Sequence, residues 1–221
     1  MSEKVDMHYL DFLDQDHRIE QHLINRGLAL PLRKHRQKAR NGTCHALSLN
    51  WLISLFDGLS IEAACQRLSG ERAGQSAAVT QALQHQLAYQ QISMFERRDL
   101  ADDFDDEVLI SDMSQRRLTT LSKVAPLSAL NAEELGAGVT RTLAQCNLLL
   151  IILDPVLHTL AIGRDKCGKT ALFDPNCGIV RLSEPAMTGV VMTALCAFYR
   201  PTNTVHVQAY GAAVQPQIPV V

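Results

Sequence analysis

The sequence predicts an α+β fold, with helices first and an antiparallel β-sheet after them. Between Cys44 and Cys146, apolar residues recur at the spacing of helices, and Gly, Ser or Asn stands at the expected helix ends. After Cys146, short apolar runs alternate with turn residues, a pattern typical of strands joined by hairpins. The 221 residues are enough for one domain with a complete hydrophobic core.

The predicted helices share an apolar stripe at helical spacing. They cover residues 9–26, 44–56, 61–69, 77–95, 131–146 and 184–198. Gly58 is expected to end the helix that starts at Cys44, and Ser60 to cap the next one. Asn131 followed by Glu134 has the capping-box pattern, in which each side chain accepts from the other residue's backbone N–H.

The predicted strands follow one another with short connections. They cover residues 148–153, 158–164, 169–175, 179–182 and 205–210. The first of them, LLLIIL, is apolar without a break, which indicates a strand buried on both faces of the sheet. The sequence DKCG at 165–168 is a turn, so the strands on either side of it form a hairpin.

Composition excludes several classes of protein. The formal net charge is −2 and aromatic residues make up 5%, which argues against a nucleic-acid-binding surface. The six cysteines include no C-x-x-C pair, which argues against structural zinc. No other metal and no cofactor is expected. The N-terminus lacks the apolar core of a secretory signal, and Asp154 and Pro155 interrupt the longest apolar run. We therefore expect no stable membrane insertion.

Cys44 is the first candidate for chemistry. It lies in ARNGTCHALSLNWL (residues 39–52), where a polar loop with the capping residues Asn41 and Thr43 leads into an amphipathic helix. A cysteine that opens a helix has its sulfur near unpaired N–H groups and the positive end of the helix dipole, which favour the nucleophilic thiolate. The alternative is an inert buried cysteine, the commoner role of this residue.

A nucleophilic cysteine needs a base and a group that orients the base. Of the eight histidines, His158 is the best candidate because it opens a predicted strand at the end of the sheet. His45 is next to Cys44 in sequence, but helix geometry turns it away from the sulfur. His206 lies in a predicted edge strand with no acidic residue nearby. Asp174 ends the strand paired with that of His158, so the hairpin places both at one end of the sheet. Asn176 is a weaker alternative for the orienting group.

Three blocks of the sequence resemble the YopT-type cysteine peptidases, a family of bacterial effectors with a papain-like fold. The blocks are GTCHALSLNWL, HTLAIGRD and ALFDPNCG, and together they span residues 42–178. The resemblance implies Cys44 as nucleophile, His158 as general base and acid, and Asp174 as its orienting group. In papain-like enzymes a side-chain amide before the cysteine also binds the oxyanion, and Gln37 and Asn41 are the candidates here.

The resemblance implies a catalytic domain over residues 41–221, preceded by an N-terminal helix and basic connector in residues 1–40. It also implies a monomeric cysteine peptidase that cleaves a host protein through a thioester. We expect a type III or similar system, with no cleavable signal, to deliver it from the producer's cytosol into a host cell. A secretion chaperone is a further candidate partner. The basic run from Arg33 to Arg40 is interpreted as a solvated loop.

Two alternative functions remain open at this stage. A glutamine deamidase or transglutaminase-type enzyme uses the same three residues and the same thioester. A binding module would carry the three residues without using them for chemistry. The type of product distinguishes a peptidase from a deamidase or transglutaminase-type enzyme. The reactivity of Cys44 distinguishes all of these enzymes from a binding module.

Overall fold

The computed structural model describes residues 7–8, 44–69, 114–115, 117–128, 132–154, 158–176, 178–183, 185–199 and 204–212. Its helices within these ranges are α1 (Cys44–Phe56), α2 (Ile61–Ser69), α3 (Ala132–Gln145) and α4 (Pro185–Tyr199). Its strands there are β1 (Met7–His8), β2 (Leu118–Ser128), β3 (Leu148–Asp154), β4 (His158–Arg164), β5 (Thr170–Asp174), β6 (Gly178–Leu182) and β7 (Thr204–Ala212). The helices predicted over 9–26 and 77–95 lie outside the described residues, and so does the basic connector.

The strands form one sheet in the order β1-β6-β5-β4-β3-β7-β2, and every neighbouring pair is antiparallel. β3, β4, β5 and β6 follow one another in the sheet as they do in the chain, because short turns join them. β7 returns on the other side of β3, where Leu153 is paired with both His158 and Val205. The hairpin predicted from DKCG is therefore confirmed, and it lies near the middle of the sheet.

The apolar run of β3 is buried on both faces of the sheet, as its composition predicts. Leu148, Leu150 and Ile152 belong to one core with Trp51 and its neighbours on α1 and α2. The alternate residues, Leu149, Ile151 and Leu153, belong to a second core with residues of α3 and α4. Successive side chains of a strand point to opposite faces. The sheet is thus a central layer between two helical layers.

The ends of α1 and α2 have the predicted capping interactions. Gly58 takes a positive φ of 85° at the end of α1, and the N–H of Leu59 bonds back to the carbonyl of Ser54 at 3.1 Å. This is the Schellman arrangement, which favours glycine because a side chain would be strained there. Ser60 Oγ accepts from the N–H of Ala63 at 3.2 Å, as an N-cap should.

α3 and α4 are in direct backbone contact on the second face of the sheet. A Cβ atom added to Gly136 would lie 2.5 Å from the Cα of Gly189, a separation that real Cβ atoms do not adopt. The two glycines therefore let the helices approach closely. This contact places α4, and with it Tyr199 at its last position, against the sheet.

Two features differ from the sequence prediction. β2 was not predicted, because its Ser, Thr, Lys and Pro residues obscure the alternation of a strand. Among the described strands it lies at the edge of the sheet, with irregular register between Val124 and Leu127, where Pro126 can be tolerated without a ladder hydrogen bond. Since β2 covers β7, the suggestion that His206 lies on an edge strand was wrong.

Helices lie on both faces of the sheet. α1, α2 and α3 precede β3 in the chain, and α3 and α4 cover the face of the sheet opposite α1 and α2. No helix in the described ranges has the length and apolar character needed to cross a bilayer.

Candidate active site

The first turns of α1 are held against the start of β4. Ser48 Oγ donates a hydrogen bond to the carbonyl oxygen of Thr159 at 3.0 Å, and His45 Nδ1 lies 3.4 Å from Thr159 Oγ1. Thr159 directly follows His158. These contacts bring Cys44, the first residue of α1, to the same end of the sheet as the imidazole of His158.

The β4–β5 hairpin aligns His158 with Asp174. At the turn, Asp165 Oδ1 accepts hydrogen bonds from the N–H groups of Cys167 and Lys169 at 2.9 and 3.0 Å. The register that follows this turn places His158 and Asp174 together at the far end of the hairpin. His158 Nε2 and Asp174 Oδ1 are 3.0 Å apart, and only 8% and 1% of these side chains are exposed.

The two nitrogens of His158 have different partners. A carboxylate oxygen can only accept, so Nε2 carries the hydrogen that bonds to Asp174. A hydrogen bond also links the imidazole to the Cys44 side chain. Because Nε2 is engaged by Asp174, Nδ1 is the nitrogen that serves the sulfur. Hydrogen bonds therefore connect the side chains of Cys44, His158 and Asp174 in that order.

The environment of His158 favours its protonated form. Burial lowers the pKa of the imidazole, but the hydrogen bonds to Asp174 and Cys44 and the charges of both residues outweigh it. The net effect raises the pKa of His158 from 6.5 to about 9. At neutral pH the imidazole next to Cys44 is thus an imidazolium, which can give a proton.

Asp174 stays ionised although it is almost completely buried. Burial raises the pKa of the carboxyl, but the hydrogen bond and charge of His158, the N–H of Asn176 and the hydroxyl of Tyr199 more than offset it. The net pKa is lowered below 3.8. The Asn176 N–H lies 2.8 Å from Oδ1. A buried carboxylate with several donors can hold a histidine in one orientation.

Tyr199, which sequence analysis did not identify, completes this cluster. Its ring stacks on the imidazole of His158 with a centroid distance of 4.3 Å and an angle of 30°. Its hydroxyl donates to Asp174 Oδ2 at 2.8 Å. No local motif relates the end of α4 to the β4–β5 hairpin, so no sequence signal could have indicated it.

The other candidates from the sequence fall into three groups. Asn176, the alternative orienting residue, donates from its backbone to Asp174 while its side-chain amide donates to Tyr199 Oη at 3.2 Å. His45 is buried against β4 and His206 lies on β7. Gln37 and Asn41 lie outside the described residues. Within the described ranges, no three His, Cys, Asp or Glu side chains are grouped as metal ligands.

Three other cysteines have environments that suppress reactivity. Burial raises the pKa of the Cys65 thiol to about 12, although Trp51 Nε1 donates to its sulfur at 3.2 Å. Burial likewise raises the pKa of the thiols of Cys146 and Cys196. A thiol kept protonated is neither a nucleophile nor readily alkylated.

These environments predict selective alkylation of Cys44. At pH 7, a thiol with the pKa of Cys65 is ionised in only about one molecule in 10⁵. Cys44 lies next to the imidazole of His158, whereas burial raises the pKa of the other three thiols, so iodoacetamide should modify Cys44 at least about tenfold faster than Cys65, Cys146 or Cys196. Peptide mass spectrometry over a time course measures each site separately. Exposed Cys167 serves as the control for an accessible thiol. Equal rates at Cys44 and Cys65 would contradict a reactive site.

Comparison with known proteins identifies a family and a fold for this chain. Residues 27–207 match the model of the Peptidase_C58 family, described as the Yersinia/Haemophilus virulence surface antigen. The fold is similar to the crystal structure of the Pseudomonas avirulence protein AvrPphB, with a TM-score of 0.60 and 16% sequence identity over 80% of this chain and 94% of that one. This similarity confirms the predicted α+β, papain-like fold.

A second solved structure is PatoxP, a cysteine protease-like domain of the Photorhabdus asymbiotica toxin PaTox. Its alignment covers 90% of this chain and 71% of that one at 12% identity, but the TM-score of 0.34 is too low to indicate a common fold. No curated protein sequence matches the chain significantly. The family match covers most of the 221 residues, and the chain therefore belongs to the Peptidase_C58 (YopT/AvrPphB) family of cysteine peptidases.

Proposed function

We propose that this protein is a cysteine peptidase that cleaves a host protein through a Cys44–His158–Asp174 triad. The observation that carries the proposal is the buried His158–Asp174 hydrogen bond of 3.0 Å next to a cysteine that opens a helix. Membership of a cysteine peptidase family supports it. Nucleophile, base and orienting group are in contact in the order that thiol hydrolysis requires.

In the first half of the proposed reaction, the Cys44 thiolate attacks the carbonyl carbon of a peptide bond. A C–S bond forms, and the carbonyl oxygen takes the negative charge. The backbone N–H of Cys44, with a side-chain amide from Gln37 or Asn41, is proposed to bind this oxyanion. His158 then gives its Nδ1 proton to the leaving amine as the C–N bond breaks, and a thioester remains on Cys44.

In the second half, neutral His158 accepts a proton from a water molecule that attacks the thioester. The C–S bond breaks, a carboxylic acid leaves and gives its proton to the solvent, and Cys44 and His158 return to thiolate and imidazolium. Asp174 remains ionised throughout and holds Nε2–H, so that Nδ1 always faces the sulfur. No metal or cofactor takes part in the proposed reaction.

The proposed setting is the interior of a host cell. The family is one of virulence proteins, and the Pseudomonas relative is an avirulence protein, which supports a role against a host. The same proposal includes delivery by a type III or similar secretion system. It also includes a secretion chaperone in the producing cell and a monomeric enzyme. The host substrate is a protein that presents an accessible peptide bond to Cys44.

The test compares the wild-type protein with Cys44→Ala in an extract of host cells. We expect the wild-type protein to create new N-termini, detected by terminal-labelling proteomics, and Cys44→Ala to create none, because the alanine variant cannot form the thioester. Cys167→Ala is the matched control, since Cys167 is exposed in the β4–β5 turn, at the other end of the hairpin from His158. It should cleave like the wild-type protein.

Other products would identify the alternatives. An intact substrate that gains about one mass unit at a glutamine would show a deamidase, and a glutamine joined to an amine would show a transferase. If the wild-type protein and Cys44→Ala give the same proteome, although both are folded by circular dichroism, the peptidase proposal is wrong and a binding module remains.

A further inference from the structure

Tyr199 contacts both members of the His158–Asp174 pair, and it does so in two different ways. Its ring stacks on the imidazole at a centroid distance of 4.3 Å, and its hydroxyl bonds to Asp174 Oδ2 at 2.8 Å. The hydroxyl therefore reaches the carboxylate oxygen that His158 does not use, since Nε2 bonds to Oδ1. Both oxygens of the buried carboxylate are thereby held.

The direction of these hydrogen bonds follows from the groups involved. Ionised Asp174 can only accept, so the Tyr199 O–H must donate to it. The Tyr199 oxygen also accepts a hydrogen bond from Asn176 Nδ2 at 3.2 Å. A series of hydrogen bonds thus runs from Asn176 through Tyr199 to Asp174, and His158 donates to the other oxygen of the same carboxylate. Such a network restrains both the carboxylate and the ring that it orients.

Tyr199 is itself held in place by α4. Val191, Met192 and Cys196 are buried in the core between α4 and the sheet, and they anchor the helix. Phe198 packs edge-on against the Tyr199 ring at 5.0 Å, although 71% of Phe198 is exposed. The stacked ring thus covers one face of the imidazole from a fixed position rather than from a loop.

We propose that Tyr199 is a positioning residue that holds Asp174 and the His158 ring in the orientation needed to serve Cys44. The role rests on the proposed peptidase reaction. The hydroxyl fixes the carboxylate, and the ring limits rotation of the imidazole. This role does not require Tyr199 to bind substrate, so its loss should affect the rate of the reaction more than the binding of substrate.

Two substitutions separate the hydroxyl from the ring. Tyr199→Phe keeps the stacking and removes the hydrogen bond to Asp174, and we expect kcat to fall about tenfold with KM within twofold of the wild-type value. Tyr199→Leu removes both contacts and should lower kcat about 100-fold. The kcat of Tyr199→Phe should therefore lie between those of Tyr199→Leu and the wild-type protein.

The matched control is Tyr210→Phe, which removes another buried hydroxyl, bonded to Gln208 at 2.6 Å. Tyr210 is paired with Leu148, at the opposite end of β3 from His158.

A second measurement does not depend on turnover. The Tyr199 hydroxyl lowers the pKa of Asp174, so Tyr199→Phe should raise it, while Tyr210→Phe should leave it unchanged. Carbon-13 NMR titration of the Asp174 carboxyl in the Cys44→Ala protein measures this shift. If peptidase activity is absent from the wild-type protein, this titration still decides whether Tyr199 holds the pair. Wild-type kcat in Tyr199→Phe together with an unchanged Asp174 titration would overturn the proposal, and Tyr199→Phe retains the ring that stacks on His158.

Discussion

Replacement of His158 with alanine is expected to lower kcat about 10³-fold, because the leaving amine and the attacking water both lose their proton-transfer partner. Since Cys44 and His158 act in the same step, the double variant with Cys44→Ala should be no slower than Cys44→Ala alone. Rates of cleavage of the substrate found by proteomics measure both effects.

A second histidine at the same end of the sheet provides the control for this variant. His206 lies on β7 opposite Ile152, two strands away from His158, and is half-buried. His206→Ala makes the same chemical change without touching the proposed triad, and should keep kcat within about threefold of the wild-type value. A His158→Ala protein that is folded and cleaves at a comparable rate would remove His158 from the mechanism.

Replacement of Asp174 with asparagine is expected to lower kcat about 10²-fold and to change the pH profile. The amide has nearly the same shape as the carboxylate, but it lacks the charge and the fixed acceptor that keep Nε2 protonated and oriented. Asp174 raises the pKa of His158, so this pKa should fall below its wild-type value of about 9. The alkaline limb of kcat/KM, which reports loss of the imidazolium, should therefore move to lower pH.

The same pair makes a pH-dependent contribution to stability. The folded pKa of His158 is raised above 6.5, so its contribution is complete below about pH 6.5 and is lost as pH rises through about 9. The folded pKa of Asp174 is lowered below 3.8, so its contribution is present above that pH and is lost on further acidification. Asp174→Asn should thus destabilise the protein more at pH 6 than at pH 10. Urea unfolding at both pH values tests this, and an equal loss would show that the pair is not ionised in the folded protein.

The parts of the fold that the sequence predicted are those with a strong local cause. The Gly58 stop and Ser60 cap fall at chain positions where the backbone needs those residues. The uninterrupted LLLIIL run can only be buried on both faces. β2 lacked such a signal, because its pairing with β7 and its edge position come from contacts distant in the chain.

The sequence alone determined the candidate triad, because each member stands at the end of an element with a clear local pattern. Cys44 opens a helix, His158 opens a strand, and a short turn with fixed register returns the chain to Asp174. Only the tertiary structure decided that Tyr199 stacks on His158 and bonds to Asp174. That contact depends on the packing of α4 against α3 and the sheet, and packing between distant elements has no periodicity or spacing in the sequence.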